Sequence, residues 1–206
     1  MSQFFQIHPI NPQPRLIKQA ITVIRNGGVI VYPTDSAYAL GCHIGDKSAV
    51  ERIRQIRQLN EKHNFTLVCK DLSEIAQYAQ VDNTQYRFLK FHTPGAYTFI
   101  LKGTREVPRR LMHPKRKTIG IRVPDCPVTQ SLLDYLGTPI MSTTLQLPGD
   151  DMPLTDPYDI HQTLGSMVDL VIDGGYCGLE PTTVISLLED TPEILRQGKE
   201  FTEALV

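Results

Sequence analysis

Val29-Ile30-Val31-Tyr32-Pro33-Thr34-Asp35-Ser36 sets the fold class of this chain. Four consecutive β-branched or aromatic residues make a strand buried on both faces, and Pro33 ends it in a turn of hydroxyls and a carboxylate. In α/β proteins, ligands sit at the carboxyl end of such a strand. Upstream, Pro14 opens a helical stripe of Leu16, Ala20, Ile21, Val23 and Ile24, which Gly27-Gly28 stops just before the strand. A helix feeding a buried strand is the alternation of an α/β domain.

Downstream the alternation continues. Asp46 to Asn60 reads as a helix with Ile53 and Ile56 inward, made basic by Arg52, Arg54, Arg57 and the following Lys62-His63. Phe65–Cys69 is a strand, Leu72–Ala79 and Gln85–His92 are helices, and Pro94-Gly95 opens the strand Tyr97–Lys102. Residues 104–117, TREVPRRLMHPKRK, hold six Lys/Arg and two prolines, which predicts an extended basic connection rather than a helix, with room to be mobile. Strand Thr118–Val123, helix Val128–Leu136, strand Pro139–Thr144, a loop at 147–157, a helix at 158–164 and strands Leu170–Asp173, Thr183–Leu188 and Ile194–Gln197 complete the pattern. Glu189-Asp190-Thr191-Pro192 joins the last two in a hairpin-like turn, so the sheet is mixed. With neither repeat nor linker, residues 1–206 read as one α/β domain with a mixed β-sheet and flanking helices.

No stretch approaches the roughly 18 apolar residues of a membrane span. The N-terminal MSQFFQIHPINPQPR has no basic segment followed by an apolar one, so no membrane partner and a cytoplasmic location are expected. Cys42, Cys69, Cys126 and Cys177 contain no CxxC pair and read as reduced thiols; Cys42-His43 beside a strand reads as structural, so no protein-held metal is expected. Residues 1–117 carry 18 Lys+Arg against 8 Asp+Glu, whereas residues 118–206 carry 3 against 14. Either the two charges intermingle on the folded surface, or the first 117 residues make a basic face for phosphates.

GxxxxGK[ST] and GxGxxG are both absent, and Gly174-Gly175-x-x-Gly178 runs into Glu180-Pro181 rather than a helix, which is a turn. A phosphate ligand would therefore be held by separate cations and hydroxyls. Arg122 alternates with Ile121 and Val123 on a strand; it either faces a ligand or pairs with an acid. Tyr97 and Phe99 read as core residues, so base-stacking recognition of single strands is not expected.

PTDSAYALG at 33–41, PGAYTFILKG at 94–103, TIGIRVPDCP at 118–127, PIMSTTLQLPG at 139–149, VIDGG at 171–175 and ILRQG at 194–198 together resemble the YrdC/TsaC family, and NEKHNFTLVCKDL at 60–72 resembles its YciO branch. The resemblance implies a twisted mixed sheet with a basic concave face, to which double-stranded RNA binding is attributed. It also implies threonylcarbamoyl-adenylate chemistry, in which a carbamate of threonine attacks the α-phosphorus of ATP and releases pyrophosphate for tRNA modification. Mg²⁺ would enter with ATP. Thr34 and Tyr38 would border the amino-acid pocket and Arg57 would face ATP, while Thr118, Arg122, Ser142, Thr144, Gln146 and Arg196 would help bind carboxylate and phosphates. RNA phosphates would meet Arg109, Arg110, Lys115, Arg116 and Lys117, unless that segment is only a solvated loop.

Two departures bear on activity. Where the synthases carry a Lys-x-Arg pair, this chain has Arg57 and Leu59; within their Ser-Thr-Ser-Ala-Asn phrase, Thr144 replaces the second Ser and Gln146 the Asn. Removing one charged group that stabilises a transition state costs roughly 10²–10³ in rate. Three readings follow: an RNA- and ATP-binding protein with weak or altered synthase activity, an efficient threonylcarbamoyl-AMP synthase, or a regulatory scaffold binding neither ligand.

Overall fold

The computed structural model describes residues 2–60, 63 and 65–200. Among the described residues ten strands lie in one sheet: β1 (Gln3–Gln6), β2 (Ile30–Tyr32), β3 (Ala39–His43), β4 (Thr66–Val68), β5 (Tyr97–Lys102), β6 (Thr118–Arg122), β7 (Ile140–Thr144), β8 (Leu170–Asp173), β9 (Thr183–Ser186) and β10 (Glu193–Arg196). Their order is β1-β8-β2-β3-β7-β4-β6-β5-β9-β10. Parallel pairs (β1 with β8, β8 with β2, β4 with β6, β5 with β9) are interspersed with antiparallel ones, so the sheet is mixed, as the hairpin signal indicated.

Helix α1 (Pro14–Arg25) begins with proline at its first position and packs Ile17, Ala20, Ile21 and Ile24 inward. Asp46 caps α2 (Lys47–Arg57) by accepting the Ala49 N–H, and Asp71 caps α3 (Leu72–Tyr78) in the same way through Glu74. Asp82 and Gln85 form a reciprocal capping box at the start of α4 (Asn83–His92). Gly137 in the left-handed region ends α5 (Pro127–Leu136), and Asp156 caps α6 (Pro157–Leu164).

The faces of the sheet are covered unequally, and this creates the site. Helices α2, α3, α4 and α6 bury one face along most of its width, against Leu40, Leu67, Phe99, Ile121, Met141, Val171 and Ile185. On the other face α1 and α5 pack only against one end of the sheet, over Ile30, Tyr32, Ala39, Val68, Ile140, Leu170 and Ile172. Because side chains alternate along a strand, the rest of that face presents the residues between the buried ones.

Three expectations change. Strand β3 was not anticipated because Ala39 and Gly41 dilute its β character, and β1 is a four-residue edge strand paired on one side alone. Segment 104–117 is not extended throughout: it contains a 3-10 turn at Arg109–Leu111 and is anchored by the buried Val107 and Leu111.

Candidate functional site

The uncovered face is the floor of a cavity of about 880 Å³. Across it, neighbouring strands place Gly41, Ser142, Thr66, Gly120, Ile100 and Ser186 side by side in register. Thr98, Thr118, Thr144 and Thr182 add further hydroxyls to the lining. A floor of hydroxyls and short side chains offers many weak donors while leaving room for a ligand.

Lys102, Arg116, Arg122 and Arg196 line this cavity together with His63 and His113, while Glu189 and Glu193 stand on the β9–β10 side. Arg122 and Arg196 are two of the three cations in residues 118–206; the third, Lys199, donates from Nζ to the Asp35 carbonyl at 2.6 Å, beside the same wall. Cations far apart in the chain thus reach one concavity, and the charge segregation of the sequence does not describe the arrangement in space. His113 Nδ1 accepts the N–H groups of Lys115 and Arg116, so its neutral ring carries the proton on Nε2.

The turn after β2 builds the cavity's most buried charge. Arg122 is 8% exposed and forms an ion pair with Asp35, and its Nη2 also donates to Ser36 Oγ at 3.0 Å. Asp35 Oδ2 accepts the Asp125 N–H at 2.8 Å, which locks the carboxylate from its other side. Arg122 Nε is buried without a hydrogen-bond partner. So Arg122 both pairs with an acid and faces the cavity.

Of the expected substrate residues, Thr118, Arg122, Ser142, Thr144 and Arg196 line the cavity. Thr34, Tyr38, Arg57 and Gln146 do not. Thr34 Oγ1 closes its own turn on the Ala37 carbonyl at 2.6 Å, so Ser36 and Ala37 face the cavity in its place. Tyr38 is fully buried and donates its hydroxyl to the Gly175 carbonyl at 2.6 Å. Gln146 donates to the Asp150 carbonyl at 2.8 Å. Arg57 lies at the end of α2, its Nε buried and unpartnered, and burial holds its pKa below the ordinary arginine value.

Of the five cations expected to meet RNA, only Arg116 lines the cavity. Arg109, Lys115 and Lys117 are exposed. Arg110 instead holds the carbonyls of Ile44 and Gly45, at 3.3 and 2.7 Å. Arg54 stacks on Phe65, 4.7 Å from the ring centre, and Arg52 pairs with Asp169, so much of the basic character of α2 is structural. Lys102, His113 and Ser186 were not anticipated; alternation of Thr98, Ile100 and Lys102 against the core residues Phe99 and Leu101 was the available signal.

His63 reports the local field. Burial first, then the charges of Arg57 and Arg54, push its pKa down to about 4. Unfolded, it titrates near 6.5, so between pH 6.5 and 4 the unfolded chain binds the extra proton. Its contribution to stability is therefore complete above pH 6.5 and is lost as pH falls toward 4. His63→Gln should flatten the fall of Tm across that window, measured by thermal unfolding at several pH values.

The family model Sua5_yciO_yrdC, described as telomere recombination, matches residues 22–198. This chain belongs to the Sua5/YciO/YrdC family. Within that family, Escherichia coli YciO is 61% identical over 198 residues, 96% of each protein. Its crystal structure superposes with a TM-score of 0.96 over 100% of both chains, at 59% identity. The threonylcarbamoyl-AMP synthase of Nitrosococcus oceani is 31% identical over 160 residues, 77% of this chain and 85% of that protein. P. abyssi Sua5 complexed with L-threonine shares the fold, with a TM-score of 0.88 over 96% of this chain and 58% of that chain at 23% identity. This Sua5/YciO/YrdC domain is thus related to the threonylcarbamoyl-AMP synthases. Its Leu59 packs against the hydrophobic core, so no cation is delivered from that position.

Proposed function

We propose that the concavity binds the triphosphate of ATP, supports threonylcarbamoyl-adenylate formation only weakly, and is flanked by cations that hold the phosphates of duplex RNA or tRNA. The observation that carries this reading is the meeting of Lys102, Arg116, Arg122 and Arg196 over one hydroxyl-lined floor. A carbamate attacking a triphosphate brings like charges together, and preorganised cations in a partly water-excluded site offset that repulsion. Mg²⁺ would travel with the nucleotide and screen its phosphates; among the described residues no group of three or more His, Cys, Asp or Glu is placed to hold an ion. Relatedness to the synthases supports the substrate class.

Weak activity is supported by two side chains. Leu59 is turned to the core, and the Gln146 amide is engaged with Asp150. With ATP, bicarbonate and L-threonine, pyrophosphate release is expected to run about 10²–10³-fold slower than in a synthase with both phrases intact. Comparable turnover would overturn the weak-activity reading, and failure of ATP to bind in titration calorimetry would overturn the nucleotide site itself.

The RNA part rests on Arg109, Lys115, Arg116 and Lys117, all exposed, with Arg116 at the cavity wall. Replacing these four with Gln, while keeping Arg110 for the carbonyls it holds, is expected to weaken duplex RNA binding. The slope of log K against log salt should also shrink, by up to about 0.9 for each phosphate that is no longer neutralised. Unchanged affinity and slope in modest salt would make the segment a solvated loop.

A further inference from the structure

Tyr32 ends β2, two strands away from Ser142 on β7, yet its hydroxyl donates to Ser142 Oγ at 2.7 Å. The ring reaches across β3 at Gly41, which is in register with Ser142. A Cβ at Gly41 would lie 2.7 Å from Tyr32 Cε1 and 2.7 Å from Ile140 Cγ2, so the crossing exists because position 41 has no side chain. Tyr32 is fully buried in the apolar cluster beneath α1 and α5 and does not line the cavity. Ser142 is 5% exposed and does.

The direction of this hydrogen bond determines what Ser142 offers. If Ser142 donated to the phenol, the proton of the fully buried Tyr32 hydroxyl would be left unsatisfied, at the cost of a buried orphan donor. With Tyr32 as donor, Ser142 Oγ accepts from behind and its own proton turns toward the cavity. Burial pushes the Tyr32 pKa well up, so the phenol stays a donor throughout the working range. Accepting one hydrogen bond also strengthens a hydroxyl as donor in the next.

We infer that Tyr32 is a positioning residue: through Gly41 it fixes the Ser142 hydroxyl as a donor to an anionic oxygen of the ligand in the concavity. This rests on the ATP reading above and adds to it the residue that aims one of the floor's donors. Tyr32 itself does not touch the ligand.

The test is a double-mutant cycle read by calorimetric titration with Mg-ATP and, separately, inorganic pyrophosphate, with Tm recorded for every variant. Tyr32→Phe keeps the ring and its packing, and is expected to weaken binding about 5–10-fold, in line with one hydrogen bond. Ser142→Ala should weaken it by a similar factor, and the double variant should be no weaker than Ser142→Ala alone, because Tyr32 acts through Ser142. A purely structural role for Tyr32 would lower Tm and give losses that multiply. Wild-type binding with an unchanged Tyr32→Phe affinity, or a full Tyr32→Phe loss persisting in the Ser142→Ala background, overturns this inference alone. A wild-type protein that binds neither probe overturns the nucleotide reading and this inference with it.

Discussion

Asp35→Ala is expected to destabilise the protein by about 3–5 kcal/mol, because it strands a buried guanidinium without its counter-charge. Both side chains of the pair are only 9% exposed, so the solvent in the cavity compensates poorly for the lost carboxylate. The Ser36 and Thr34 hydroxyls that remain near Arg122 are neutral. Asp125 also loses the acceptor of its backbone N–H at the entrance to α5. For a chain of this length each kcal/mol moves Tm by about 2–4 °C, which puts the expected fall near 6–20 °C. Stability and ligand binding separate in a second variant. Replacing the pair by apolar residues, Asp35→Leu with Arg122→Met, should recover most of the Tm, since a buried ion pair adds little over good packing. The same variant should lose ATP affinity, because one wall of the cavity is then neutral. Thermal unfolding beside ATP titration reads both; a single variant that retains wild-type Tm would show that the pair is solvated.

Gly120→Val is the second large effect. Gly120 lies in a strand bonded on both sides, with Thr66 and Ile100 as register partners, and on the face that carries Thr118 and Arg122. A Cβ there would stand 2.9 Å from Thr66 Oγ1, 3.2 Å from the Phe65 carbonyl oxygen and 3.3 Å from Thr98 Cγ2. The threonines can rotate, but the Phe65 carbonyl accepts the Gly120 N–H and is fixed by the ladder. Overpacking of this kind costs about 1–3 kcal/mol. The valine methyls would also rise from the floor into the ligand volume, so ATP affinity should fall, and the rate of adenylate formation should drop about 10²-fold, as an ångström-scale misplacement of reacting groups can do. Full ATP affinity in a folded Gly120→Val protein would move the ligand away from this floor.

The local elements were legible because their signals are local. The stripe of Leu16, Ala20, Ile21, Val23 and Ile24, the β-branched run at 29–32 and the alternation of Arg122 with Ile121 and Val123 each settle helix or strand, although the helix buries Ile17 fully and Leu16 and Val23 only in part. Ser142 and Thr144 came from the family resemblance rather than from periodicity, and both line the cavity while Met141 between them packs in the core. Weakly patterned segments were lost: β3 carries alanine and glycine, and that glycine turns out to be the gap through which Tyr32 reaches Ser142.

By itself the sequence determined an α/β domain with a mixed sheet and most of its local elements, since these follow from residue type and spacing along the chain, and its motifs carried the resemblance to the family. Tertiary structure alone decided strand order, and with it which cations meet. Whether an arginine serves a ligand or the fold depends on what lies within about 3 Å of its guanidinium, and those neighbours are far away in sequence. Arg110 finds the carbonyls of Ile44 and Gly45, Tyr38 finds Gly175, and Arg122 finds Asp35 while still facing the cavity. Such pairings are fixed when ten strands choose their partners, a non-local event that no window of residues encodes.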